Sequence, residues 1–452
     1  MAALLTPTSA SAAPVAIIGG GYAGLAAGVE LAAAGISVHV FEASRSLGGR
    51  ARRADVKEAN LDNGQHILVG AYRETLRLMT LVGADPERLL RRQPLHLEYP
   101  GTLRIHAPDW PAPLHMAAAL LGAQGLNWRD KWAAIRFMQA LKASHYRLPA
   151  DCTVAALLDH HRQPAKLRRY LWEPLCLATL NTPVTTASAQ VFANVLRDTL
   201  GADKAASQLL LPATDLSELF PEPAARFIEA RGGQVLRSRR IGTLAPMAGG
   251  WHVDGITTPY RAVIAATAPH HLAPLLAPLQ ATAPALGGLL QTLEGLRYES
   301  ITTVYLQYPT SVTLPHPMIG GFAEGDGLSQ WLFDRGQLLG DELGKSGTPG
   351  LLAAVISANG PHETLTPAQL ATTIHEEIVR LLPGLPAPLW HRTITEKRAT
   401  FACTPDLPRL GTATPLPGLF LAGDHIASDY PATLESAVRS GITAAHLLLN
   451  PL

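Results

Sequence analysis

The residues with the clearest chemical pattern are Gly19, Gly21 and Gly24, spaced as G-x-G-x-x-G, with Glu42 standing 23 positions after the first. That set suits an anionic dinucleotide. The first glycine permits a tight turn, the second lets a pyrophosphate approach the backbone, and the third lets a helix pack closely on a strand. An acid about twenty residues further on accepts hydrogen bonds from ribose hydroxyls. Gly48, Gly49 and Arg50 follow, a second glycine pair and a planar fork of donors matched to the two charges of a diphosphate. Arg52 and Arg53 read equally well as a solvated basic turn. Near the other end, Gly423 and Asp424 close an apolar run, and Thr433 and Leu434 open a helical pattern. Free N–H groups at such a helix start stabilise negative charge.

Holding these residues in place takes alternating strands and helices. Val15–Ile18 is a short apolar run of the kind found in buried parallel strands. Leu25, Val29, Ala32 and Ala33 share one face of a predicted helix that ends at Gly35, and residues 37–41 form a second strand that delivers Glu42. A turn and strand at 232–236, a hairpin at 250–255, a strand at 262–266 and another at 418–421 complete the pattern. The expected class is α/β, with a parallel sheet and a β-meander.

At 452 residues the chain exceeds what one core normally fills. Hydrophobic residues make up 47% and charged ones 16%, which leaves material for an apolar cavity or an exposed oily face. Lys and Arg number 37 against 36 Asp and Glu, so no basic stripe for nucleic acid is expected. Cys152, Cys176 and Cys403 make no CxxC, zinc pattern or disulfide framework, which suits a reducing interior and predicts no metal site. Residues 1–14 read as a frayed tail without the basic start of a signal peptide. Residues 262–293 carry no Asp, Glu, Lys or Arg, but four prolines interrupt them; residues 110–128 are broken by Pro111 and Pro113. Neither stretch is expected to span a bilayer, and either suits lying on its surface.

The Gly-Gly-Arg element directly after the ribose acid resembles that of the amine oxidase and phytoene desaturase superfamily, whose cofactor is FAD. The resemblance implies that Gly49 and Arg50 hold the FAD diphosphate. It implies that Gly64 lets the chain pass beside the isoalloxazine, with Gln65 and His66 bonding its heteroatoms or facing the substrate. Val235 would touch the adenine through its backbone, Gly423 and Asp424 would meet the ribityl chain or phosphate, and Thr433 and Leu434 would lie under the pyrimidine end. Residues 62–66, 172–175, 330–335 and 396–401 further resemble the squalene-associated FAD-dependent desaturases, understood as hydroxysqualene dehydroxylases of bacterial squalene and hopanoid synthesis. That resemblance implies reductive dehydroxylation of a long isoprenoid in the bacterial cytoplasm, with substrate supplied by squalene-synthase-like enzymes. Such a substrate needs an apolar tunnel, for which residues 114–126 and 289–306 offer lining, or else ordinary core. His66 is the first candidate for the proton donor and Glu173, between Trp172 and Pro174, the second; an apolar surround would keep a carboxyl protonated. Asp334 reads as the ion-pair partner of Arg335. Trp132, Ile135, Met138 and Leu141 recur at helical spacing, with core packing the default and peripheral contact with the inner face of the membrane the second reading.

The expected layout is interleaved: a discontinuous, Rossmann-like FAD-binding domain over residues 13–92, 209–278 and 399–452, and an α+β substrate domain built from a mostly helical insertion (93–208) and a strand-rich segment (279–398). Three other functions remain open at this point. A carotenoid-type desaturase would run hydride transfer the other way. A flavin amine oxidase would want an aromatic cage, against which stands an aromatic content of 6%. A non-catalytic FAD-dependent carrier or assembly factor would bind the flavin without turnover.

Overall fold

Short runs of apolar residues with no polar face belong in a sheet covered on both sides, and five of them meet there. In chain order they are β1 (Val15–Ile18), β2 (Val38–Phe41), β3 (Gln234–Leu236), β4 (Ala262–Ala265) and β5 (Leu419–Leu421). The computed structural model describes residues 13–54, 56, 59–321, 327–339 and 348–450; residues 1–12 of the predicted tail lie outside these. The strands pair in the order β5-β4-β1-β2-β3, every pair parallel. All residues of β1 and β4 are buried. On one face, helix α1 (Tyr22–Ala33) and the C-terminal helix Leu434–Leu449 pack over the sheet. α1 stops at Gly35, whose φ of +77° is left-handed, with Ile36 N–H donating back to Leu31 O.

The other face of the sheet packs on Trp251, Tyr260 and the helix Gly287–Gly295. Leu290 and Leu293 therefore share a core with Ala16 and Val263, and this part of the 289–306 segment is ordinary core. The hairpin lies slightly earlier than expected: strands Leu244–Met247 and Gly250–Val253 turn at Gly249, and Tyr260 bridges to Trp251 as the third arm.

A second, antiparallel sheet takes the order Met318–Gly320, Trp331–Asp334, Leu351–Ser357, Tyr298–Gln307, Trp390–Phe401. Its strands alternate as a two-faced sheet must. Val304 and Leu306 pack with Ile374 and Ile378 of the helix Pro367–Leu381, whereas Tyr305 joins Trp172, Phe137 and Phe192 of the helical segment on the opposite face. That helical segment is covered by helices Leu114–Leu121, Trp128–Ala143, Val154–His160, Glu173–Leu180 and Ala189–Asp198. In Trp128–Ala143 the buried row is Ala133, Ala134, Phe137 and Leu141, and both Trp128 and Trp132 face outward. The spacing announced a stripe, but the small residues, not the tryptophans, are the ones that let the helix approach its neighbours.

Candidate active site

The turn from β1 into α1 is built from backbone. Gly21 is the N-cap, no side chain caps the helix and no acid stands in its first turn, so its first N–H groups are left for an anion. A Cβ on Gly24 would lie 2.0 Å from Gly19 O, which is why the helix can sit this close to the strand only with glycine there. Gly21 differs: a Cβ on it would meet nothing nearer than Gly49 Cα, at 3.7 Å. Gly48 N–H donates to Gly20 O at 2.9 Å, so the second glycine pair lies alongside the first. The two glycine segments therefore lie side by side with bare backbone exposed between side chains, an edge that suits a diphosphate. Glu42 closes one side: its carboxylate accepts from Gly20 N–H at 2.8 Å and from Ser44 N–H at 2.7 Å. Each carboxylate oxygen keeps a further lone pair for a ribose hydroxyl. Val235 lies in β3, paired with Val40 beside β2, at the edge of the same sheet.

Residues far apart in sequence close the opposite side. Arg50 Nη2 donates to Asp424 Oδ1 at 2.6 Å and Nη1 to Ala399 O at 2.7 Å. Burial tends to raise the Asp424 carboxyl, but the charge and hydrogen bond of Arg50 together with His425 outweigh it and hold the group well below the usual carboxylate range. Asn63 donates to both Arg50 O and Glu396 Oε2, at 3.2 Å each. Arg409, for which no motif prepared us, staples the loop after Gly423. Its guanidinium donates to Asp424 O, Ile426 O, Ser428 O and Tyr430 O over 2.5–3.0 Å. His425 is buried beside this pair, its Nδ1 3.9 Å from Asp424 Oδ1. At the C-terminal helix, Thr433 accepts from Ser436 N–H and gives its own N–H to Ser436 Oγ at 3.0 Å. Of the two N–H groups expected there, Thr433's is thus committed to a capping box, and Leu434's remains the one aimed outward from the first turn.

The segment through Gly64 is held from below. Arg335 Nη1 donates to Asp62 Oδ2 at 2.9 Å and to Gln65 Oε1 at 3.0 Å, both ends of the ion pair being almost fully buried. Arg335 Nη2 reaches Asn60 O, Asp62 Oδ1 accepts from Leu216 N–H, and Tyr305 OH donates to Asp62 O. Burial pushes the Asp62 carboxyl up, and the Arg335 charge opposes that push. The expected pairing of Arg335 with Asp334 does not occur. Asp334 instead caps the short helix Arg335–Leu338 and accepts from Thr313 Oγ1 and Leu314 N–H. Gln65 is bound into this network on its oxygen side, and a Cβ on Gly64 would meet only Thr303 Oγ1 at 3.6 Å and His66 Cε1 at 4.0 Å.

His66 Nδ1 lies 2.9 Å from Gly64 O. A carbonyl only accepts, so Nδ1 carries the proton and Nε2 presents a lone pair. Burial pushes this imidazole down, the Gly64 bond opposing, so the ring is neutral near pH 7. Glu173 heads the helix Glu173–Leu180, directly after a π-helical turn over Arg168–Trp172, and is partly buried. Its backbone N–H donates to Arg168 O, while its carboxylate has no hydrogen bond or ion pair among the described residues.

The buried imidazoles also set an acid limit. Burial, then the charges of His271, Arg398 and Arg50, moves His270 from the ordinary 6.5 down to about 4. His39, His66 and His362 are lowered in the same direction by burial. Below pH 6.5 the unfolded chain binds protons that the folded chain refuses, so stability falls as pH drops from about 6.5 toward 4. Thermal unfolding across that window is expected to show a midpoint that declines steadily below pH 6.5 and no histidine-linked change from pH 7 to 8.

A family model for flavin containing amine oxidoreductases matches residues 22–449. A hydroxysqualene dehydroxylase of Rhodopseudomonas palustris is 30% identical, over 96% of this chain and 98% of that protein. The chain belongs to the hydroxysqualene dehydroxylase family, within the flavin-containing amine oxidoreductases. It is an FAD-dependent oxidoreductase. A zeta-carotene desaturase of Synechocystis sp. is also similar, at 23% identity over 96% of this chain and 97% of that one. Among solved structures, an oxidoreductase from Methanosarcina mazei superposes with a TM-score of 0.72 at 14% identity, covering 96% of this chain and all of the other; that likeness establishes the shared α/β fold.

Proposed function

We propose that this enzyme removes the hydroxyl group of hydroxysqualene to leave squalene, with reduced FAD as the reductant. The observation that carries the reading is the end-to-end match to a hydroxysqualene dehydroxylase, in which both chains align over nearly their whole length. The substrate hydroxyl sits beside a double bond. After taking one proton it leaves as water, and the allylic cation left behind is delocalised. FAD in its reduced form supplies the hydride that completes the exchange of C–O for C–H.

The chain's own residues divide the remaining work. The glycines at 19, 21 and 49 and the guanidinium of Arg50 would bind the diphosphate, Gly24 lets the helix start lie close to it, and Glu42 would bind the ribose. Asp424, fixed by Arg50 and Arg409, orients the ribityl side. The Asp62–Arg335 pair pins the backbone on either side of Gly64, the stretch that would pass beside the flavin. The leaving hydroxyl needs a proton donor within hydrogen-bond reach and a site closed to water. His66 presents a lone pair at Nε2 and not a proton, which in our reading reverses the order expected from sequence. Glu173, with a carboxyl that no described side chain engages, becomes the preferred donor.

Two readouts test this. Anaerobic incubation of photoreduced holoenzyme with hydroxysqualene is expected to yield squalene, while oxidised holoenzyme with phytoene yields no new double bond. The reverse outcome would make the protein a desaturase, the reading favoured by its likeness to the zeta-carotene enzyme. In the same assay Glu173→Gln is expected to cut squalene formation by about 10²–10⁴-fold with FAD retained, and His66→Gln by less than about tenfold. Full activity of Glu173→Gln removes it from the donor role.

A further inference from the structure

Exposed apolar side chains gather at one place on the helical segment. Among the described residues eight large hydrophobic side chains are exposed, and five of them, Trp110, Leu114, Leu121, Trp128 and Trp132, fall within 23 residues of sequence. Trp128 is 69% exposed, Leu114 56%, and Trp110 and Trp132 54% each. Helix Leu114–Leu121 contains no charged residue at all, and Leu114, Ala117 and Leu121 form its outward row while His115 and Ala119 are buried. Trp128 and Trp132 are one helical turn apart, on the side of Trp128–Ala143 opposite the buried Ala133, Phe137 and Leu141. The two helices are tied at this end, Lys131 Nζ donating to Leu121 O at 2.6 Å. Asn127 and Asp130 lock the start of the second helix in a capping box, which fixes Trp128 in its outward position.

Basic groups outnumber acids around this patch, where the exposed acid beside Trp110, Asp109, is paired with Lys204. Residues 110–136 include Arg129, Lys131 and Arg136 and a single acid, Asp130. Asp130 is buried and its carboxylate is spent on Asn127 N–H, so the charges that residues 110–136 present outward are cations. Leucines flanked by tryptophans and rimmed by basic groups match the boundary between lipid tails and anionic headgroups. There an indole buries its ring and keeps its N–H toward water, while Arg and Lys meet lipid phosphates. No described helix is long and apolar enough to cross a membrane. The inner side of the same two helices belongs to the core that holds Trp172, Tyr99 and Trp331.

We infer that the surface formed by residues 110–136 docks on a bilayer containing anionic lipid. This rests on the isoprenoid reading above in one respect only, that a squalene-sized hydrocarbon is dissolved in such a bilayer and must be taken from it. FAD-loaded holoenzyme is mixed with vesicles of phosphatidylcholine, with or without phosphatidylglycerol, and sedimented. The wild type is expected to sediment with the anionic vesicles and to be partly released by high salt. Trp128→Ser with Trp132→Ser is expected to lower that partition at least tenfold, and Arg129→Gln with Arg136→Gln to weaken binding to the anionic vesicles. Leu389→Ser, equally exposed but elsewhere, is expected to change nothing. Bound FAD absorbance in each variant shows that it has folded. The inference is overturned if the wild type stays in the supernatant with both vesicle types, or if the tryptophan pair can be removed without loss of binding. Vesicle binding without dehydroxylation would keep the docking surface and sink the proposed reaction; dehydroxylation in detergent by a protein that ignores vesicles would do the reverse.

Discussion

Gly21→Val is expected to give a folded protein that has lost its grip on FAD. Gly21 has φ −81°, a conformation open to any residue, and a Cβ there makes only ordinary contact with Gly49, at 3.7 Å, so a side chain can start there without a backbone clash. What the side chain covers is the bare backbone of the two glycine segments, where the diphosphate would have to make contact. Hydrogen bonds to a charged group contribute about 1.5–3 kcal/mol each. Displacing two of them weakens binding by roughly 3–6 kcal/mol, or about 10²–10⁴-fold in Kd. Titrating apoprotein with FAD reads the loss, and far-ultraviolet circular dichroism shows that the fold has stayed. Gly24→Val is the contrast: its Cβ would collide with Gly19 O at 2.0 Å, so this variant is expected to lose the fold along with the flavin. Wild-type affinity in Gly21→Val would place the diphosphate somewhere else.

The second large effect is expected at the buried ion pair. Arg335→Met leaves the Asp62 carboxylate enclosed without its partner, and breaking a buried pair from one side costs about 3–5 kcal/mol. Asp62→Asn strands the guanidinium in the same way. The double variant removes both charges, so it is expected to be more stable than the sum of the single losses predicts, with a coupling of about 1–3 kcal/mol. Urea unfolding of the four proteins measures this. Because Arg335 also holds Gln65 and Asn60, and Tyr305 holds the Asp62 carbonyl, the single variants should release flavin at lower urea than the wild type. Strict additivity would mean that Asp62 and Arg335 do not act as a pair in solution.

The cofactor side of the molecule is legible in the sequence for a steric reason. Only glycine can stand where Gly24 meets Gly19 O, so the motif has to appear in the residue types. Apolar strands of four residues and a left-handed Gly35 are similarly forced. Long-range polar partners are not forced in this way. Arg335 has an acid beside it in sequence, yet its partner is Asp62, brought in by the second sheet from 273 positions away. Arg409 binds only carbonyl oxygens, which every residue owns, so nothing in the sequence around it reveals the role. The helix Trp128–Ala143 shows a third limit. Periodicity reveals that two faces differ, but which one turns inward depends on how close the neighbouring helices come, and here alanines allow the approach that tryptophans would block. His66 adds a fourth: its position near the glycine motif is readable, but the Gly64 carbonyl that fixes its tautomer is visible only in the fold.

Held between the N-terminal glycines and the Arg50–Asp424 pair, one reduced FAD should be consumed for each hydroxysqualene that loses its hydroxyl. Anaerobic titration of the photoreduced holoenzyme with hydroxysqualene tests it, following flavin absorbance and analysing the lipid at each point. The prediction is that one flavin is reoxidised for each squalene formed. Flavin that stays reduced while hydroxysqualene is recovered intact would contradict the assignment.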